Sequence, residues 1–141
     1  MITGLAHLAV TAKDMDKSLD FYIRVLGLKK AFELPDPNTG APWIVYLQAG
    51  SQFIELFYHG SKDNPWESSL RGFHHICLQV DDIHKTFRQI EDAGYKADKA
   101  PRQGADKNWQ AWVTDPDGVR IELMQIDPES PQGKLIIGKS L

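Results

Sequence analysis

An internal repeat constrains this 141-residue chain more than any other feature of its sequence. His7 begins the segment His-Leu-Ala-Val, and His75 begins the related segment His-Ile-Cys-Leu. Each half also contains an Ile-Glu-Leu triplet, and its glutamates, Glu55 and Glu122, follow the two histidines by 48 and 47 residues. A chance match of a lone histidine is common, but a chance match of this whole order is not. The chain is therefore predicted to contain two copies of one half-fold. Further matched positions are Asp14, Lys17, Ser18 and Gly27 with Asp82, Lys85, Thr86 and Gly94.

Each copy is predicted to form a strand, a helix and three further strands. In the first copy, residues 4–58, apolar residues recur at helical spacing between Asp14, which suits an N-cap, and Gly27, which suits a C-terminal stop. In the second copy, residues 73–126, Asp82 and Gly94 take these places. The predicted helices are 13–26 and 82–93, and the predicted strands are 4–10, 28–34, 43–47, 52–58, 73–80, 95–100, 109–114 and 119–126.

Two polar segments lie outside the repeats. Residues 59–72 are interpreted as a linker, because they contain Gly60, Pro65 and Gly72. Residues 127–141 form a tail rich in proline and glycine, which is expected either to be partly disordered or to pack against a partner. The whole chain, residues 1–141, is therefore predicted to be a single domain made of two repeats.

Composition narrows the class of protein. With 42% hydrophobic and 25% charged residues, the chain has the composition of an ordinary globular protein. A net charge of −3 and scattered Lys and Arg residues argue against nucleic-acid binding, and no apolar run reaches the ~20 residues of a membrane span. The N-terminal residues lack the pattern of a signal peptide, and the single cysteine excludes an internal disulfide framework. We therefore expect a soluble cytoplasmic protein that binds neither nucleic acid nor a membrane.

The matched histidines and glutamates are predicted to lie on the faces of the strands that the helices leave uncovered. Side chains alternate between the two faces of a strand, so Glu55 and Glu122 point away from the apolar neighbours that pack under each helix. The same rule gives His7 and His75 this orientation. Two imidazoles and two carboxylates with open coordination positions suit Zn²⁺, Ni²⁺, Co²⁺, Mn²⁺ or Fe²⁺. The sequence therefore predicts a divalent-metal site formed by these four residues.

Three neighbouring residues are interpreted as structural. His74 falls on the packed face in this register and does not copy the context of His7, so it is expected to have no chemical role. Cys77 is interpreted as a small buried filler. Arg120 is interpreted as a surface arginine beside a turn, and the alternative is that it attracts a carboxylate or phosphate of the substrate.

Four phrases of the sequence carry a resemblance to a known family: His7-Leu-Ala-Val, then Ser18-Leu-Asp-Phe-Tyr22 with Val25-Leu-Gly27, then the phrase from His75 to Asp82, and finally Asp115-Pro-Asp-Gly-Val-Arg-Ile-Glu-Leu123. Through them residues 4 to about 126 resemble the vicinal oxygen chelate superfamily and, within it, the glyoxalase I (lactoylglutathione lyase) family. The phrases are highly specific for the superfamily and only moderately specific for glyoxalase I.

The resemblance implies an α+β fold of two paired βαβββ modules, the glyoxalase/bleomycin-resistance/extradiol dioxygenase fold. In this fold the helices lie outside a curved sheet that forms a metal-binding cup. The resemblance further implies one divalent metal per site (Ni, Zn, Co, Mn or Fe), with His7, Glu55, His75 and Glu122 as ligands. It also implies a homodimer in which each site takes one module from each chain, and glutathione or another thiol as cosubstrate.

The implied activity is methylglyoxal detoxification by a metal-dependent lyase or isomerase. Such an enzyme converts the hemithioacetal of a 2-oxoaldehyde and a thiol to a 2-hydroxyacyl thioester through an enediolate. Glu122 is the expected catalytic base, and Glu55 is its counterpart across the cup.

Other functions on the same scaffold remain open. An acyl-CoA epimerase would need a cationic rim, for which the candidates are Lys96, Lys99, Arg102 and Lys107. An Fe²⁺-dependent ring-cleaving dioxygenase would use two histidines and one carboxylate, so the fourth expected ligand argues against it. A drug-sequestering resistance protein, of the bleomycin-resistance kind, would lack the metal set. Fosfomycin-resistance enzymes also share the scaffold but typically use three protein ligands.

Overall fold

The first half of the chain forms a compact unit, Met1–Pro65, with one four-stranded sheet. In the computed structural model, which describes residues 1–69 and 71–137, the sheet order is β1-β4-β3-β2. Strand β1 runs parallel to β4, and the other pairs are antiparallel. The elements are β1 (His7–Thr11), α1 (Met15–Leu19), β2 (Lys29–Pro35), β3 (Pro42–Ala49) and β4 (Gln52–Phe57).

A second unit begins at Trp66 and repeats this arrangement. Its sheet has the order β5-β8-β7-β6, again with the first pair parallel and the others antiparallel. The elements are β5 (Ile76–Gln79), α2 (Ile83–Asp92), β6 (Lys99–Gln103), β7 (Trp109–Thr114), β8 (Arg120–Gln125) and α3 (Pro131–Ile137). The predicted α+β architecture of two βαβββ modules is confirmed.

The first helix differs from its prediction in type. After α1 the chain continues as a π-helix over Asp20–Val25, because the backbone N–H of Leu26 donates to the carbonyl of Phe21, five residues earlier, at 3.0 Å. Phe21, Tyr22 and Val25 of this segment are all fully buried. The apolar spacing in the sequence predicts a helix here but does not distinguish a π-helix from an α-helix.

The predicted helix ends are confirmed. The Asp14 and Asp82 side chains accept hydrogen bonds from the backbone N–H groups of Lys17 and Lys85, at 3.2 and 2.9 Å. Gly27 and Gly94 have φ angles of 77° and 82°, which glycine adopts without strain.

Strand β6 begins four residues later than predicted. The N–H of Tyr95 donates to the carbonyl of Ile90 at 3.1 Å and closes the end of α2, so the chain is not yet extended there. Pairing with β7 starts only when the Asp98 N–H donates to the carbonyl of Trp112 at 2.8 Å. The apolar pattern of residues 95–100 therefore reflects packing beside the helix end as well as a strand.

Apolar side chains on one face of each sheet form the core. In the first unit Ile54 and Leu56 are at most 1% exposed. In the second unit Ile121 and Leu123 take the same places and are at most 2% exposed, under α2. Because neighbours on a strand alternate, the residue between each pair must lie on the opposite face. The glutamates of the repeat occupy these positions.

The first part of the tail, residues 127–137, is ordered and packs on its own unit. Asn108 is completely buried; its amide oxygen accepts from the Asp127 N–H at 2.9 Å, and its amide nitrogen donates to Gln132 at 3.3 Å. These bonds tie α3 to the start of β7. Residues 138–141 lie outside the described part of the chain. Like the other helices of the described residues, α3 is too short to cross a bilayer.

We expect Ile121→Ala to destabilise the protein by about 2–5 kcal/mol, because it removes a fully buried side chain beside Glu122. Urea unfolding followed by circular dichroism measures the change. The matched control Ile2→Ala alters an isoleucine that is 94% exposed, and we expect a change within about 0.5 kcal/mol. Equal losses in the two variants would contradict the assigned core.

The Asp82 cap predicts a pH dependence of stability. The hydrogen bond from the N–H of Lys85 holds the pKa of this carboxyl below its ordinary value. The charged carboxylate therefore stabilises the folded state fully at pH values above the ordinary pKa. This contribution is lost as the pH falls through the lowered pKa. Asp82→Ser keeps an acceptor that does not titrate. The stability of the wild type relative to Asp82→Ser should therefore be greater at about pH 6 than at about pH 2.5. An equal difference at the two pH values, measured by urea unfolding, would contradict the role of the charge.

Candidate metal centre

The first unit brings His7 and Glu55 together on the uncovered face of its sheet. The distance from His7 Nδ1 to Glu55 Oε1 is 3.3 Å. The imidazole is 49% exposed and the carboxylate only 6%, so the histidine leaves one side open to a ligand while the glutamate is shielded from water. Parallel pairing of β1 and β4 sets this geometry, since Ala9 lies opposite Glu55 and leaves room for the imidazole.

Tyr46 is a neighbour of Glu55 that the sequence analysis missed. It lies directly across from Glu55 in the β3–β4 pair. The hydrogen bond with Glu55, followed by burial of the phenol and the negative charge of Glu55, raises the pKa of Tyr46 above its ordinary value. At neutral pH the phenol therefore remains protonated and donates its hydrogen bond to Glu55.

The second unit brings His75 and Glu122 together in the same way. The distance from His75 Nε2 to Glu122 Oε2 is 3.0 Å, and the side chains are 28% and 7% exposed. His75 lies just before β5, not within it as predicted, but its side chain still reaches the glutamate. Its ring also meets that of Trp112, which pairs with Glu122 across the strands, at a centroid distance of 4.9 Å.

The predicted position of His74 on a packed face is wrong, whereas its expected lack of a chemical role stays a prediction. The residue is exposed and does not lie on a packed face, because β5 begins only at Ile76. Its Nδ1 lies 2.7 Å from Nδ1 of His75, so one ring donates to the other. This contact leaves Nε2 of His75 to face Glu122. A second-layer partner of this kind fixes the orientation and tautomer of a metal-binding histidine. In the sequence, the one signal of this contact was that the two histidines are adjacent.

The prediction that Cys77 is a buried filler is also wrong, because the residue is exposed. It pairs with Glu122 in the β5–β8 ladder. The protein atoms packed around the sulfur, together with the charge and hydrogen bond of Glu122, raise the pKa of Cys77 to about 12. The thiol is therefore protonated at neutral pH and acts as a weak donor toward Glu122.

Each unit thus holds one histidine and one buried glutamate, and the distance between these two side chains suits two ligands of the same ion. Two ligands bound to one ion at about 2.1 Å are roughly 3.0–3.4 Å apart for bond angles between a right angle and the tetrahedral angle. The observed spacings of 3.3 and 3.0 Å fall in this range. Among residues 1–69 and 71–137, no three His, Cys, Asp or Glu side chains gather into a cluster that would hold a metal ion. The set of four ligands therefore remains a prediction.

Comparison with known proteins identifies the family. Residues 4–123 match the model of the Glyoxalase/Bleomycin resistance protein/Dioxygenase superfamily. A protein of Synechocystis sp. named probable lactoylglutathione lyase is 34% identical over 128 residues, which cover 86% of this chain and 94% of that protein. The chain therefore belongs to this superfamily.

Similar proteins within the superfamily differ in their named activities. Human mitochondrial methylmalonyl-CoA epimerase is 32% identical over 92 residues, which cover 62% of this chain and 52% of the epimerase. The crystal structure of a glyoxalase family protein from Enterococcus faecalis has a TM-score of 0.73 at 22% identity and covers 86% of this chain and 97% of that chain. The similarity to the solved structure shows the fold alone. The relatives found by sequence are named for two different activities, a lyase and an epimerase.

The two pairs predict that metal binding depends on both histidines. We expect the chelator-treated chain to bind Ni²⁺, Co²⁺, Mn²⁺ or Zn²⁺ in a calorimetric titration, and His7→Ala or His75→Ala to abolish that binding, because either change removes an imidazole ligand. The matched control is His84→Ala, since His84 is exposed on α2. Unchanged metal affinity in His75→Ala would reject the candidate centre.

Proposed function

We propose that this protein is a divalent-metal-dependent lyase of the lactoylglutathione lyase type. The reaction is conversion of the hemithioacetal of methylglyoxal and a thiol, such as glutathione, to a 2-hydroxyacyl thioester in the cytoplasm. The observation that carries this proposal is the presence, in each unit, of a histidine beside a buried glutamate at ligand spacing. The relative named probable lactoylglutathione lyase, which this chain matches over most of its length, supports it.

The four residues fit a divalent metal by their chemistry. His7 and His75 would supply neutral nitrogens, and Glu55 and Glu122 would supply the charge that balances a dication. When bound, the metal would polarise the substrate oxygens and stabilise negative charge that develops on them.

Glu122 is the proposed base. In the reaction a proton leaves the carbon that carries oxygen and sulfur, and a proton returns to the neighbouring carbon, so no external oxidant or reductant is needed. Glu122 Oε would take the first proton and give it back. Because its carboxylate is only 7% exposed, competing hydrogen bonds from bulk water are few.

The surroundings of the two glutamates favour Glu122 over Glu55 for this role. The phenol of Tyr46 donates a hydrogen bond to Glu55, so this carboxylate has fewer free lone pairs with which to meet a substrate proton. The corresponding donor at Glu122 is the thiol of Cys77, a much weaker hydrogen-bond donor. Glu55 is therefore proposed as a fixed ligand, and Glu122 as the carboxylate that exchanges protons with the substrate.

A homodimer with shared sites is part of the proposal. Each unit holds only half of the ligand set, so a complete site needs two units. Exposed apolar side chains on β2 and β3 support association with a second chain, namely Phe32, Leu34 and Trp43, which are 46%, 38% and 37% exposed.

An acyl-CoA epimerase is the second candidate. The similarity to human methylmalonyl-CoA epimerase favours it, and the same base and metal chemistry would serve an enolate. The two activities differ in substrate, so one experiment separates them.

We expect the metal-loaded protein to form thioester from methylglyoxal and glutathione, and Glu122→Gln to lose at least a hundredfold in kcat while keeping most of its metal, because the amide cannot accept the proton. Thioester absorbance and metal analysis measure the two effects. The matched control Glu129→Gln alters an exposed glutamate that pairs with Lys134.

Two outcomes would redirect the proposal. Metal binding without turnover would reject the 2-oxoaldehyde reaction, and proton exchange on an acyl-CoA ester by the same sample would establish the epimerase. Full turnover in Glu122→Gln would reject Glu122 as the base.

A further inference from the structure

A cavity of about 340 Å³ lies beside β7 and β8 in the second unit, and none of the four predicted metal ligands lines it. Its walls are mostly aromatic and charged, an unusual combination for a surface depression. The lining includes Trp66, Asp98, Lys99, Trp112, Thr114 and Arg120.

The guanidinium of Arg120 dominates this cavity. Its central carbon lies 3.8 Å from the ring centroid of Trp66 and 4.7 Å from that of Trp112. Its Nη1 is buried and has no hydrogen-bond partner among the described residues. Such a donor costs free energy until an acceptor reaches it. This finding corrects the interpretation of Arg120 as an ordinary surface arginine.

The indole contacts restrict how a ligand can meet Arg120. Indole rings that lie against the face of a guanidinium cannot accept its N–H bonds, which point outward from its edge as a planar fork. A planar carboxylate matches that fork with two parallel hydrogen bonds. The geometry therefore favours an oxyanion approaching in the plane of the guanidinium.

The charges of the cavity favour a monoanion. Lys99 adds a second positive charge, with Nζ 5.8 Å from the ring centroid of Trp112. Asp98 is the one carboxylate in the lining, and it accepts a hydrogen bond from Thr114 at 2.7 Å. Two cations and one anion leave a single positive charge, which one carboxylate neutralises, whereas a dianion such as phosphate would leave the cavity with an excess negative charge.

The cavity adjoins Glu122. Arg120 precedes Glu122 by two residues on the same face of β8, a distance of roughly 7 Å along the strand. Trp112 pairs with Glu122 across the strands and forms a wall of the cavity. A small molecule bound at Arg120 can therefore extend to the carboxylate proposed as base.

We propose that this cavity is a subsite for a carboxylate carried by a small-molecule ligand, with Arg120 as its main binding residue. Assigning that ligand as the substrate rests on the proposed function, whereas the binding of a carboxylate does not. Because the rings of Trp66 and Trp112 both lie against the guanidinium, tryptophan emission should report binding of an anion to it.

The test uses the full-length chain, stripped of metal and exchanged into chelator-free buffer, with acetate as the probe. Acetate should change tryptophan emission saturably, and acetamide, its neutral analogue, should not. Arg120→Met should weaken acetate binding at least tenfold, and Arg120→Lys should weaken it less, because charge remains without the fork. Arg88→Met, an exposed arginine on α2, is the matched control with unchanged affinity. Circular dichroism verifies the fold of each variant.

Three results would overturn the subsite: equal effects of acetate and acetamide, wild-type affinity in Arg120→Met, or tighter binding of inorganic phosphate than of acetate. If Arg120→Met does not fold, Lys99→Met supplies the test, since it should weaken acetate binding and leave the acetamide signal unchanged. Wild-type acetate affinity in a folded Lys99→Met would then overturn the proposal.

The subsite and the proposed function fail separately. Acetate binding that depends on Arg120, in a metal-loaded protein without thioester formation, keeps the subsite and rejects the reaction. If turnover is present, Arg120→Met should raise KM more than it lowers kcat for a thiol bearing a carboxylate, and should have little effect for a thiol without one. Equal effects on both thiols would overturn the subsite and leave the reaction standing.

Discussion

Burial of Ile-Glu-Leu triplets under a helix is the constraint on which the rest of this structure depends. The isoleucine and leucine of each triplet are nearly inaccessible, and the alternation of a strand then forces the central glutamate onto the opposite face. On that face Glu55 and Glu122 are still only 5% exposed, so each carboxylate needs a charged or hydrogen-bonding neighbour. His7 in β1 and His75, just before β5, supply these neighbours. Packing on one face thus dictates polar chemistry on the other.

Much of the fold could be predicted because its signals are local and repeated. The caps at Asp14 and Asp82 follow from hydrogen bonds that span three residues, and any window of sequence shows them. The π-helix after α1 and the late start of β6 were not predicted, because both depend on hydrogen bonds reaching back five residues at a helix end. A pattern of apolar residues does not distinguish these bonds from the ordinary ones.

In the candidate metal site, too, some features could be predicted from the sequence and others could not. Strand alternation was enough to place Glu55 and Glu122 on the faces away from the buried apolar residues, and in the structure each lies beside the histidine of its own unit. The neighbours that tune these pairs were missed or misjudged, because they arrive from other strands or from irregular chain. Tyr46 comes from β3, and His74 and Trp66 come from segments without regular structure. The repeat also concealed an asymmetry: a phenol donates to Glu55 and a thiol to Glu122, so two similar triplets have different hydrogen-bond partners.

The bonds between Asn108 and the tail define where the domain ends. The family resemblance ends at residue 123, yet a chain cut there would leave the buried amide of Asn108 without its partners at Asp127 and Gln132. Gly133 fits this turn because a side chain on it would collide with the carbonyl oxygen of Asp127. The stable folding unit is therefore longer than the region that the family model covers, and a shortened or fused form of the protein should retain the chain through α3.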